Sequence, residues 1–268
     1  MRWLIYISFF FWAVNSTAQC DVDRKVFQPG EKLTYKAYYN WNFIWLEAAD
    51  VVFKVEEKLP EPVYKLSSLG ISLPKYDWFY KVRDTFRSEV NNETLLPLFY
   101  HRNTSEGSYK VNNKFNFDYE AQKLYASTFN SDSGSAINTF DLKPCTFDVL
   151  SAIYYTRTLS FENRNLGDTI PLRFFIDNEY YDLYIRYLGK EEIETREKKI
   201  YSCIKFNIML VEGTIFKGGE DMTVWATDDE NHVPILVEAK ILIGSVKAFL
   251  TDYSGLKYTM KSYLGIRK

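Results

Sequence analysis

The feature that most constrains this chain is a strict two-residue alternation of large apolar and polar side chains, repeated over most of its length. "KLTYKAYYNW" (32–41) puts Leu33, Tyr35, Ala37 and Tyr39 on one face, and "DVVFKVEE" (50–57) adds Val51, Phe53 and Val55. "YKVNNKFNFDYE" (109–120) sets Val111, Phe115 and Phe117 on one side of an otherwise polar segment. "IPLRFFID" (170–177), "YYDLYIRYLG" (180–189) and "IYSCIKFNIML" (200–210) continue the pattern. A period of two cannot lie on one side of a helix, and with 21 Tyr and 20 Phe in the chain it reads as half-buried antiparallel strands. Turn signals punctuate the strands at "VNNET" (90–94), "SDSGS" (131–135), "DNE" (177–179), "KGGED" (217–221) and "DDENH" (228–232). Many strands joined by short turns imply a meander.

Two stretches break the rule. "PKYDWFYK" (74–81) reads as one helical turn, and "TFDVLSAIYYTRTLS" (146–160) as the single helix. Thr146 is expected to cap it, Asp148 suits its positive end, and Leu150, Ile153, Tyr154 and Leu159 form its apolar stripe. The expected fold is therefore mainly β: an antiparallel meander forming a barrel or half-barrel, with one central α-helix at about residues 146–160.

The first residues, "MRWLIYISFFFWAVNSTAQC", follow a different logic. Arg2 precedes an apolar run from Trp3 to Val14, and small residues at Ser16 and Ala18 precede Gln19, the three-part pattern of a secretory signal peptide. The run is too short to cross a bilayer, which takes about 20 residues. The expectation is a signal peptide over 1–18 and a single β-barrel-like domain over 19–268. Such a protein is exported, to the periplasm or the outer membrane. Gln19 before Cys20 argues against lipidation of that cysteine.

Arg2 is the one charged residue before Gln19, so 32 basic and 35 acidic residues remain beyond it, a formal charge of −3. Without a long basic run, nucleic acid is not an expected partner, and no later apolar run predicts a transmembrane helix. Three cysteines are too few for a disulfide scaffold. Cys145 can pair with Cys203, or one of them with Cys20; buried free thiols are the favoured reading. With two histidines and no ligand spacing, neither a metal site nor any cofactor is expected.

Several segments carry a resemblance: "FQPGEKLTYKAYYNW" (27–41), "YKVRDTFRSEVNNETLLP" (80–97), "SEGSY" (105–109), "DVLSAIYYTR" (148–157), "GDTIPLRFFID" (167–177) and "VWATDDENHVPILVEAKILIGSVKAFL" (224–250). In that order they resemble the bacterial family catalogued as domain of unknown function 3108. The resemblance implies an exported protein of Gram-negative bacteria with a barrel-like antiparallel build, and it brings no catalytic residue. In plan the chain is also similar to periplasmic lipoprotein carriers.

Three function classes follow. The leading one is a non-catalytic envelope protein holding a lipid or other hydrophobic ligand in a concave β surface, with Ile235, Val237, Ile241 and Phe249 as expected lining. The second is a glycan-binding or structural envelope module, in which Tyr38, Trp41 and Trp45 of "YYNWNFIW" stack on sugar rings. The third is a hydrolase built on Asp228, Asp229, Glu230 and His232, against which stands the reading of an ordinary polar hairpin loop. No GxSxG, HExxH or phosphate-binding glycine loop occurs, so no catalytic residue is expected. Asp84, Arg87 and Glu89 read as charges along a strand. In "AKILIGSVKAFL" (239–250) three aliphatics adjoin a turn. They are core beneath the helix, the mouth of an apolar cavity, or a tip that enters a membrane or partner.

Overall fold

The computed structural model describes residues 20, 22, 24–41, 43–56, 62–210, 219–241 and 244–267. The expected signal peptide therefore lies outside the described residues, as do Leu242 and Ile243. The alternating segments become strands. The first eight are β1 (Lys32–Trp41), β2 (Ile44–Val55), β3 (Val63–Ser72), β4 (Val82–Asn91), β5 (Pro97–Glu106), β6 (Tyr109–Asp118), β7 (Lys123–Asn130) and β8 (Gly134–Asp141). A short β9 (Thr146–Phe147) and the helix α1 (Val149–Thr158) follow. The second run is β10 (Thr169–Ile176), β11 (Glu179–Glu194), β12 (Lys199–Leu210), β13 (Gly219–Thr227), β14 (Pro234–Lys240), β15 (Ser245–Ser254) and β16 (Tyr263–Ile266).

One sheet holds them all. Its order runs from β8 down to β1, then β15 down to β9, with β16 added beside β12. The first and last long strands meet, and the edges, β8 and β9, are consecutive in the chain. Every pairing is antiparallel except β9 on β10, where Arg173 and Phe174 face Thr146 and Phe147. The sheet curls without a hydrogen-bonded closure, and side chains bridge the gap. Phe175 of β10 meets Phe115 and Phe140 edge-on at 5.0 Å each. Asp177, on the β10–β11 turn, accepts from Asn113 Nδ2 at 2.9 Å, and Asn178 donates to Thr128 Oγ1 at 3.1 Å.

The helix begins at Asp148, and not at Thr146. Thr146 is taken up by β9, and its hydroxyl donates to the Lys143 carbonyl at 2.7 Å. The Asp148 carboxylate accepts from the amides of Leu150 and Ser151 at 2.8 and 2.9 Å, while its own amide donates to Ser151 Oγ at 3.0 Å. This is a complete capping box, worth about 1 kcal/mol over an uncapped end. Ser88 Oγ of β4 donates to the same carboxylate at 2.7 Å, fixing the helix start to the sheet. Burial pushes the Asp148 pKa up to about 6, against the lowering effect of those hydrogen bonds.

α1 lies within the curl and divides the interior. Leu150 and Tyr154 pack with Phe115, Phe117 and Phe175 toward the first half of the sheet. Ala152, Tyr155 and Leu159 pack with Phe206 and Val224 toward the second. Each fully buried ring, such as Tyr100, Phe115 or Phe175, contributes about 1.5–3 kcal/mol relative to exposure. A third cluster, containing Tyr38, Trp225, Ile235 and Phe249, gathers Ile193, Leu256 and Met260 around it.

The cysteines depart from the favoured reading of free thiols. Cys20 and Cys145 form a disulfide with their Cα atoms 5.6 Å apart, and Cys203 alone is a buried free thiol. The pairing spans 125 residues, a proximity created by the fold and absent from local spacing. In β1 the alternation holds but both faces are covered: Leu33 and Tyr35 line the interior, while Tyr38, on the same face as Lys36, is buried beneath Trp45, Phe249 and Arg196.

Candidate functional site

A cavity of about 490 Å³ lies between α1 and the second half of the sheet. The helix supplies one wall through Val149, Ala152, Ile153 and Thr156; β10 to β15 and β1 to β2 supply the rest. Ile153 remains 36% exposed on a helix that is otherwise largely buried, because it faces this space. Alternation explains the wall. Ile204, Phe206 and Ile208 point in from β12 while Cys203 packs on the opposite face, and Val224 and Ala226 point in from β13 while Trp225 points away. Met209 and Met222 add flexible thioethers.

The cavity's one Lys, Arg, Asp or Glu among the described lining residues is Arg157, and its charge is already met. Glu31 takes a two-pronged ion pair from the guanidinium, at 2.5 Å to Nη1 and 3.0 Å to Nη2. Nε and Nη2 also donate to the Asn231 carbonyl at 3.3 and 3.1 Å. The guanidinium stands 5.6 Å from the ring centroids of Phe27 and Tyr154, so both partners are dry. Beside it, His232 Nδ1 lies 2.7 Å from the Arg157 carbonyl and must carry the proton to donate there. Burial lowers the His232 pKa and keeps the ring neutral. The Tyr35 hydroxyl is likewise committed, donating to the Pro234 carbonyl at 3.0 Å.

The residues expected from sequence are dispersed. Val237 is on the cavity wall. Ile235, Phe249 and Tyr38 belong instead to the third core cluster: Ile235 is the extra residue of a bulge between Pro234 and Leu236, and Phe249 and Tyr38 lie on the face opposite Val237 and Ala248. Ile241 is half-buried just beyond β14, and the Trp41 side chain is outside the described residues. Trp45 is packed against Tyr38 and Phe249, with Arg196 at 5.0 Å and Lys247 at 5.3 Å from its ring. With Tyr38 only 7% exposed, these rings do not make an open stacking face. Ile153 belongs to the apolar stripe read from the sequence, whereas Glu31, Arg157, Ala152 and Thr156 were not singled out there. The Arg at the end of an apolar helix was the available signal, since a charge there needs a buried partner.

The acidic loop sits on the far side of His232, in a polar cleft of about 530 Å³. Asp229 accepts from Thr227 Oγ1 and from the amides of Asn231, Lys261 and Ser262, which pins the C-terminal segment. Asp228 pairs with Lys190 at 2.8 Å and Glu230 with Lys261 at 2.6 Å. Glu89 pairs with Lys65 at 3.1 Å across the β3–β4 ladder, and Asp84 accepts from the Ser105 amide at 3.2 Å. Among the described residues no three His, Cys, Asp or Glu groups gather as metal ligands, and no helix is long and apolar enough to cross a membrane.

Fold and site together define a class: an open, barrel-like antiparallel sheet curled around one helix, with an apolar cavity between them. The chain belongs to the family described as "Protein of unknown function (DUF3108)", whose model matches residues 34–251. It is similar in fold to the crystal structure of a beta-barrel-like protein of domain of unknown function DUF1849 from Brucella abortus. That likeness has a TM-score of 0.56 at 9% identity and covers 87% of this chain and 100% of that one. No curated protein matches the sequence. A disulfide is a feature common in proteins of oxidising, extracytoplasmic compartments.

Proposed function

We propose that this is an exported, non-catalytic binding protein of the bacterial envelope that holds one hydrophobic ligand of the lipid class between α1 and the curled sheet. The observation that carries the reading is the cavity. Its volume falls within the range of small-molecule sites, and Val, Ile, Leu, Met and Phe dominate its wall. Its single wall cation is neutralised by Glu31, so the space favours the uncharged part of a ligand, leaving a charged head group at the mouth. The commitment of Asp229 to holding the C-terminal segment supports a loop role over an acid–base one. Fold kinship carries no function by itself, and the proposal rests on the site.

The test is native mass spectrometry of the mature protein, purified without detergent from its own envelope, followed by organic extraction. A stoichiometric lipid-sized adduct is expected. A bare mass from protein shown to be folded overturns the reading.

A further inference from the structure

We infer that the end of the sheet carrying the β1–β2 and β3–β4 connections is a docking surface for an anionic lipid bilayer. Phe43 is 90% exposed at the β1–β2 tip, and Trp78 and Phe79 are 84% and 78% exposed after the 3₁₀ turn Pro74–Tyr76. Ile44, Leu46 and Tyr80 extend the apolar surface. Single exposed aromatics are ordinary, but a contiguous group at one end of a molecule implies something that covers it. The two tips are neighbours, since the Leu73 amide donates to the Ala48 carbonyl at 2.9 Å and Ala49 pairs with Ser72.

The charge around these rings selects the occupant. Asp77 is neutralised by Arg83 and Glu47 by Lys36, while Asp84 and Glu106 lie together beside Tyr80. Lys75 and Lys81 flank the aromatic run in "KYDWFYK", and Lys240 closes β14 at the same end; all three are exposed. Aromatic rings bracketed by long cationic side chains fit the bilayer interface, where rings sit at head-group depth and lysines reach lipid phosphates. The surface is also continuous with the cavity. Ile208 and Met222 of the wall lie in one register row with Ala239, Val246, Tyr39 and Leu46, so the cavity's outer end and this rim are the same end of the sheet. The exposed rings and their flanking lysines are present whatever the cavity contains.

The experiment is flotation of the full mature chain with vesicles of phosphatidylethanolamine and phosphatidylglycerol, and with vesicles of phosphatidylcholine alone. Wild-type protein floats with the anionic vesicles and less with the neutral ones. Trp78→Ser/Phe79→Ser, at sites too exposed to affect folding, lowers partitioning about tenfold or more. Lys75→Glu/Lys81→Glu lowers it on anionic vesicles only. Wild-type protein that stays with neither vesicle overturns the inference, as does unchanged flotation of the Trp78→Ser/Phe79→Ser variant. Recovery of wild-type protein only in complex with another envelope protein, and on no vesicle, also overturns it. Each readout is separate from the adduct measured for the cavity.

Discussion

Replacing Glu31 by Gln is the sharpest probe of how the cavity is built. Glu31 and Arg157 are both buried and share two hydrogen bonds at 2.5 and 3.0 Å. The glutamine preserves the volume but presents an amide that cannot neutralise a guanidinium. The cation keeps the Asn231 carbonyl and loses its counter-charge, which for a buried pair costs about 3–5 kcal/mol. Urea unfolding followed by circular dichroism measures this as a lower midpoint at unchanged slope. The double replacement Glu31→Leu/Arg157→Met is expected to be neutral or more stable, by up to about 4 kcal/mol, since it removes both desolvation costs. A second readout concerns the ligand. With the wall cation released, the Glu31→Gln cavity should prefer a fatty carboxylate over the matching fatty alcohol by about tenfold to a hundredfold, the contribution of one hydrogen bond to a charged group. A Glu31→Gln protein within about 1 kcal/mol of wild type, or one with no new preference for the acid, would refute the view of Arg157 as a dry, neutralised wall residue.

Further outcomes follow from the same structure. Asp148 has its pKa raised to about 6 by burial, so its stabilising contribution is present below the ordinary carboxylate range and lost as pH rises through about 6. Asp148→Asn retains the cap and cannot ionise. Its stability relative to wild type should therefore improve by about 2–3 kcal/mol between about pH 4 and pH 7 in parallel denaturation curves. His232, with its pKa lowered by burial, acts in the opposite sense and costs stability as pH falls below the ordinary imidazole range, an effect that His232→Gln should remove from the acid limb. Cys145→Ser opens a loop of 125 residues and should cost about 4–5 kcal/mol, matched by reduction of the wild type. Burial pushes the Cys203 thiol up to about 12, so iodoacetamide should label it only after unfolding, as intact-mass measurement would reveal. Ile153→Trp fills the cavity from the helix side and should abolish the lipid adduct with the thermal midpoint little changed.

What the sequence made legible follows a physical divide. The alternation around Val111, Phe115 and Phe117 predicts strand, face and burial together, and all three side chains are buried in β6. The helix was legible from its apolar stripe, but its start depended on a competition between two capping residues that β9 decides by drawing Thr146 into the sheet. In β1 Tyr38 keeps the face opposite Tyr35, and its burial comes from Trp45, Phe249 and Arg196 covering that face, which a pattern that counts by two does not reveal. Phe249 is likewise buried on the face opposite the cavity-lining Ala248 and Val237, so both faces of this part of the sheet are apolar. Ile235 and Val237 share a parity, yet the shift at Trp225/Ala226 separates a core position from a cavity position. Long-range pairs such as Cys20 with Cys145, or Glu31 with Arg157, leave no local trace at all, because only the fold brings 125 or 126 residues of separation to bonding distance.

The helix explains why an open sheet of this size retains a cavity instead of collapsing onto itself. A curled antiparallel sheet with aromatic inner faces gains most by filling its interior with side chains. Here α1 fills one half, through Leu150 and Tyr154, and presents its other side to the second half. On that other side the residues are Ala152, Ile153 and Thr156, too short to reach the opposite wall of Ile208, Met222 and Val237. The helix cannot move closer, because Ser88 holds its start and Glu31 and Asn231 hold its end. The space is thus set by two buried polar anchors on a helix of fixed length, one at each terminus. An apolar void so maintained leaves its walls short of dispersion partners, at a cost that a bound apolar ligand offsets.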